Sequence, residues 1–120
     1  MKNILVIEDA LPVRKILEAV LGKDSSVLSK ENGQEALEWL QEGNMPDLII
    51  CDIQMPIMGG EEFVKEVKAS GYFKDIPIIM LSGLESSEER IKMLKLGTND
   101  YIVKPFNPEE LKLKVSIYLN

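Results

Sequence analysis

Apolar residues along this chain form short runs that alternate with stretches of helical spacing. The runs predict five strands, at residues 4–7, 26–29, 47–51, 76–81 and 100–103. The third run, at residues 47–51, lacks polar alternation, which is typical of a strand covered on both faces of a parallel sheet. The second run is half polar and suits a sheet edge.

Helical periodicity fills the gaps between these runs. The first helix is indicated by five apolar residues at i, i+3, i+4, i+7 and i+8 spacing, namely Val13, Ile16, Leu17, Val20 and Leu21. Pro12 suits its first turn, and Gly22 suits its end. Three later helix starts are marked by a capping residue followed three positions later by Glu; the caps are Asn32, Ser86 and Asn107. Another helix carries Phe63, Val64 and Val67 and ends near Gly71.

The regular alternation of strand and helix predicts an α/β protein. Short right-handed crossovers favour a flavodoxin-like (βα)5 three-layer sandwich, whose five-stranded parallel sheet has the strand order 2-1-3-4-5. No repeat or linker-like stretch divides the chain, so we expect residues 1–120 to form a single domain with no output domain.

Composition limits the possible partners and compartments. The 120 residues are 45% hydrophobic, enough for one core, and the net charge of -6 argues against direct nucleic acid or anionic membrane binding. Cys51 is the only cysteine, so an internal disulfide is excluded and a reducing, cytoplasmic location is expected. No apolar stretch approaches the length of a membrane span.

Chemically active side chains follow the predicted strands. Glu8 and Asp9 come after the first strand, Asp52 after the third, Ser82 after the fourth and Lys104 after the fifth. The carboxyl ends of parallel strands share one edge, so these groups are expected to meet there. Three carboxylates without His suit a hard cation such as Mg²⁺. A carboxylate nucleophile beside a cation, a lysine and a hydroxyl predicts phosphoryl transfer, with Asp52 as the acceptor.

These residues also carry a family resemblance. The acidic pair Glu8-Asp9, residues 52–60, the strand-end Ser82 and residues 97–106 together resemble the receiver domain of bacterial two-component response regulators. The resemblance implies that Asp52 accepts a phosphoryl group from a sensor histidine kinase or a histidine phosphotransfer protein. It further implies Mg²⁺ binding by Glu8, Asp9, Asp52 and the backbone carbonyl of Gln54.

The same resemblance implies a signalling switch rather than a turnover enzyme. Lys104 would contact the phosphoryl group, Ser82 would swing toward it, and Tyr101 would turn inward. These movements would reshape the face made by the fourth helix, fifth strand and fifth helix, which would control an output domain or protein and through which a homodimer would form. Gln54 and Leu84 occupy positions that tune phosphoryl lifetime, and the apolar Leu84 predicts slower self-dephosphorylation than a Leu84→Glu variant.

Three alternatives differ in chemistry. An aspartyl-phosphate phosphatase would carry a second Asp two residues after the nucleophile, where this chain has Gln54. A flavin-binding module would follow its first strand with a Ser/Thr/Gly-rich phosphate loop rather than with acids. A partner-docking domain without phosphorylation would not need the full set of Glu8, Asp9, Asp52, Ser82 and Lys104.

Overall fold

The computed structural model describes residues 1–83 and 86–119, in which strands and helices alternate as predicted. The strands are β1 (Lys2–Ile7), β2 (Ser25–Lys30), β3 (Leu48–Asp52), β4 (Ile78–Ser82) and β5 (Asp100–Val103). The helices are α1 (Leu11–Leu21), α2 (Gly33–Gln41), α3 (Gly60–Ala69), α4 (Ser87–Lys95) and α5 (Pro108–Leu119). All neighbouring strands are parallel, in the order β2-β1-β3-β4-β5. The predicted flavodoxin-like fold is confirmed.

Two apolar layers lie on opposite faces of the sheet. Along β1, Ile4 and Val6 pack with α1 and α5, whereas Leu5 and Ile7 pack with α2 and α3. Every residue of β3 and β4 is buried. These strands are central and covered by helices on both sides, which explains why their sequences lack polar alternation.

Some strand boundaries differ from the prediction by one or two residues. β4 begins at Ile78 rather than at residue 76, because Ile76 N–H donates to Phe73 O in a turn and Pro77 has no N–H to donate. β3 begins at Leu48 and includes Asp52. The acidic side chain of Asp52 is therefore anchored by the strand itself.

The predicted caps set the starts of three helices. Asn32 Oδ1 accepts from Glu35 N–H at 2.9 Å, and Ser86 Oγ accepts from Glu89 N–H at 3.3 Å. Asn107 Oδ1 accepts from the first-turn amides of α5. Gly22 ends α1 in a right-handed conformation, where a Cβ would lie 2.4 Å from Glu18 O, so this close approach requires glycine.

Within residues 1–83 and 86–119, no helix combines the length and the apolar character that crossing a bilayer would demand.

Candidate phosphoryl and metal site

Three carboxylates meet at the carboxyl edge of the sheet, as predicted. Ile7 of β1 pairs with Cys51 of β3, so the next residues of both strands, Glu8 and Asp52, emerge side by side. Glu8 is 0% exposed, Asp52 is 4% exposed and Asp9 faces solvent. One ligand oxygen from each of the three carboxylates lies within 4.8 Å of the others. This oxygen-only set fits a small divalent cation such as Mg²⁺.

Lys104 brings a positive charge into the same pocket. Its Nζ lies 2.8 Å from Glu8 Oε1 and 3.3 Å from Asp52 Oδ1. The backbone of Lys104 is fixed by its N–H, which donates to Ser82 O at 2.6 Å, and the Lys104–Pro105 peptide bond is cis. The ammonium therefore bridges the carboxylates that end β1 and β3.

Burial and charge oppose each other in this cluster. Burial raises the pKa of Glu8, and the hydrogen bonds from Lys104 and from Ala10 N–H offset only part of that rise. For Lys104, burial acts to lower the pKa, but the bond to Glu8 and the charges of Asp52 and Glu8 outweigh it and raise the pKa overall. Lys104 is therefore a cation at neutral pH.

Arg14 holds the turn that carries the acidic pair. Its Nη1 donates to the backbone carbonyls of Glu8 at 2.8 Å and Asp9 at 2.9 Å, and its Nη2 lies 3.3 Å from Glu31 Oε1. The sequence reasoning did not identify Arg14 because its role depends on backbone acceptors, which leave no side-chain motif. The guanidinium fixes the main chain from which both acids project.

Ser82 and Tyr101 lie together on the β4–β5 side of the pocket, and both are buried. Ser82 Oγ donates to Glu89 Oε1 at 3.0 Å, and Tyr101 OH donates to the same oxygen at 3.1 Å. The Tyr101 ring is buried in this structure. The movement of Tyr101 on phosphorylation that the resemblance implies stays a prediction. Glu89 was recognised in the sequence only as part of a capping box. Its contacts with Ser82 and Tyr101 were not.

Two other predicted positions can be placed only in part. Gln54 lies in the loop after β3 with an exposed side chain, and metal binding by its carbonyl stays a prediction. Leu84, with its predicted effect on dephosphorylation, lies outside the described residues.

The fold and the acidic pocket define an α/β domain of the receiver type. A sequence profile described as the response regulator receiver domain matches residues 4–116. The chemotaxis protein CheY1 of Helicobacter pylori strain J99 is 41% identical over 119 residues, covering 98% of this chain and 96% of that protein. This chain belongs to the response regulator receiver domain family.

Further relatives support this assignment. CheY4 of Vibrio cholerae, a chemotaxis response regulator, superposes with a TM-score of 0.92 at 34% identity, with 99% of each chain covered. The probable transcriptional regulator ycf27 of Guillardia theta is 38% identical over 119 residues, but this chain spans only 45% of its length. The family therefore includes both proteins of receiver length and longer regulators, and a role in two-component signalling fits this chain.

Proposed function

We propose that Asp52 accepts a phosphoryl group from a phosphohistidine on a sensor histidine kinase or a histidine phosphotransfer protein. A carboxylate oxygen of Asp52 attacks phosphorus, the phosphorus–nitrogen bond breaks, and the histidine leaves. The observation that carries this proposal is the convergence of Asp52 with Glu8, Asp9 and Lys104 at one edge of the sheet. We propose that the protein catalyses only its own phosphorylation and dephosphorylation.

Glu8, Asp9, Asp52 and the backbone carbonyl of Gln54 would hold Mg²⁺ in this scheme. When bound, the ion would supply positive charge that offsets the charge of the three carboxylates and of the phosphoryl oxygens. Glu8 supports this assignment because it is a fully buried carboxylate beside Asp52, an arrangement that a second cation next to Lys104 stabilises.

Lys104 and Ser82 would bind the phosphoryl oxygens. Lys104 Nζ lies 3.3 Å from Asp52 Oδ1, so it is in place to compensate charge on a group attached to that carboxylate. Ser82 ends the neighbouring strand, where Leu81 pairs with Asp52. Its hydroxyl would donate to a second phosphoryl oxygen.

New bonds at Ser82 and Lys104 would then shift the conformation of α4, β5 and α5. Tyr101 lies in β5 next to a groove of about 820 Å³ whose lining includes Arg90, Leu94, Lys104, Glu110 and Lys114. We propose that this face meets the output domain or protein, and a second copy if the protein dimerises. We further propose that residues 1–120 act as one receiver domain in the cytoplasm, without direct contact to nucleic acid or membrane.

The decisive experiment is incubation with acetyl phosphate, with and without Mg²⁺, followed by intact-mass measurement. We expect one phosphoryl group per chain only when Mg²⁺ is present. Asp52→Asn should abolish labelling. Asp75→Asn removes an exposed carboxylate elsewhere and is expected to label normally. Labelling that persists in Asp52→Asn, or sustained phosphate release from many phosphoesters, would contradict the proposal.

A further inference from the structure

Glu89 makes contacts that the acceptor chemistry does not require. It lies in the first turn of α4, outside the three-carboxylate cluster. Its backbone N–H is held by the Ser86 cap. Its side chain reaches back to the sheet, where Oε1 accepts from Ser82 Oγ at 3.0 Å and from Tyr101 OH at 3.1 Å. One carboxylate oxygen therefore gathers both hydroxyls of the proposed switch.

The next residue of α4, Arg90, also contacts Tyr101. The Arg90 guanidinium carbon lies 5.4 Å from the centre of the Tyr101 ring, within the range of a cation–π contact. Two successive residues of α4 thus hold Tyr101, one at its hydroxyl and one at its ring face. Movement of α4 is thereby coupled to the position of Tyr101 and, through Glu89, to that of Ser82.

Ser82 has a single hydroxyl proton, which sets up a competition. A hydrogen bond to an ionised acceptor is about twice as strong as one between neutral groups. Glu89 and a phosphoryl group on Asp52 are both anionic acceptors, and the Ser82 proton serves one of them at a time. Every phosphoryl-bound arrangement that uses Ser82 must therefore give up its bond to Glu89.

We propose that Glu89 is a positioning residue that holds the Ser82 hydroxyl toward α4 and thereby opposes its capture by the phosphoryl group. This inference rests on the proposed function, because it assigns regulation to that same site. Phosphorylation takes the Ser82 hydroxyl away from Glu89 and so removes one of the contacts that hold α4 to the sheet, whereas the contacts of Glu89 and Arg90 with Tyr101 remain. The strength of the Glu89 contact thus sets how readily the domain switches.

The test compares Glu89→Gln with Glu88→Gln. Both variants remove one negative charge from the first turn of α4. Glu89 accepts a hydrogen bond from Ser82, whereas Glu88 is exposed. The measurement is calorimetric titration with beryllofluoride, a phosphoryl analogue, in Mg²⁺. Replacing the charged acceptor by a neutral one is expected to tighten beryllofluoride binding about five- to tenfold in Glu89→Gln. Glu88→Gln is expected to match the wild type.

A second measurement follows Tyr101 directly. The protein is labelled with 3-fluorotyrosine, and the Tyr101 fluorine signal is assigned by its absence in Tyr101→Phe. We expect Glu89→Gln to shift this signal and Glu88→Gln to leave it in place. If Glu89 only stabilised the helix, thermal stability would fall without tighter binding, and that result would overturn the inference.

The outcomes separate this inference from the proposed function. If the wild type binds beryllofluoride and Glu89→Gln binds it equally or less tightly, the proposed role of Glu89 is overturned but the proposed function is not. A wild-type protein that binds no beryllofluoride in Mg²⁺ overturns the proposed function, and the role of Glu89 with it.

Discussion

Replacing Lys104 with Met leaves two buried carboxylates facing each other without their shared cation. Oxygens of Glu8 and Asp52 lie within 4.8 Å, and two unit charges at that distance repel by about 3.5 kcal/mol at an effective dielectric constant of about 20. Partial protonation of Glu8 relieves some of this repulsion. We therefore expect Lys104→Met to lower the free energy of unfolding by about 2–3 kcal/mol at pH 8.

The loss is expected to depend on pH in a defined direction. Burial already raises the pKa of Glu8 above its ordinary value of 4.5, and removal of Lys104 raises it further. An acid whose pKa is raised in the folded state contributes stability that is complete below its unfolded pKa and is lost as pH rises through the folded pKa. The difference between variant and wild type is therefore expected to grow from about pH 5 to pH 8.

Urea denaturation followed by the fluorescence of Trp39, the only tryptophan, measures both effects. Lys114→Met is a matched control, because the Lys114 side chain is 26% exposed and the Lys104 side chain is 22% exposed. The acidic partners of Lys114, Asp100 and Glu110, are more exposed than the acidic partners of Lys104. We expect this control to lose less than about 1 kcal/mol. Equal losses in both variants, or a Lys104→Met loss that does not change with pH, would refute the reasoning.

Three further predictions concern backbone strain, close packing and burial. Ile57 is exposed and has a φ of 69°, so Ile57→Asn is expected to raise the free energy of unfolding by about 1 kcal/mol in chemical denaturation. A Cβ on Gly60 would lie 2.3 Å from Asp52 O, so Gly60→Ala is expected to lower the melting temperature, whereas Gly71→Ala, in open space, should leave it unchanged. Burial raises the pKa of the Cys51 thiol well above its usual value, so Ellman's reagent is expected to react only as fast as the protein unfolds. Rapid native-state reaction would contradict that burial.

The sequence was sufficient to predict the sheet and the convergence of Glu8, Asp52 and Lys104 at its edge. Parallel strands place their carboxyl ends together, so residues as distant as Glu8 and Lys104 could be assigned to one pocket before any distance was known. Three helix caps could also be predicted from the sequence, because a cap acts on amides only two or three positions away; they are Asn32, Ser86 and Asn107.

Contacts between a helix and the sheet could not be predicted from the sequence pattern. Glu89 and Arg14 are charged residues on helices, and periodicity alone predicts for both a solvated surface. Whether Glu89 reaches Ser82 depends on how α4 sits over β4 and β5, which local pattern does not encode. The ends of β3 and β4 were likewise set by pairing with neighbouring strands and by Pro77 rather than by the length of the apolar runs.

The burial of Asp52 limits what can touch its carboxylate. Every residue of its strand is buried, and the Asp52 side chain is only 6% exposed. A reactive group lying flush with a flat protein surface could not touch it. With so little of this side chain open to solvent, the proposed donor would have to present its phosphoryl group on a small molecule or on a side chain that protrudes from its own surface.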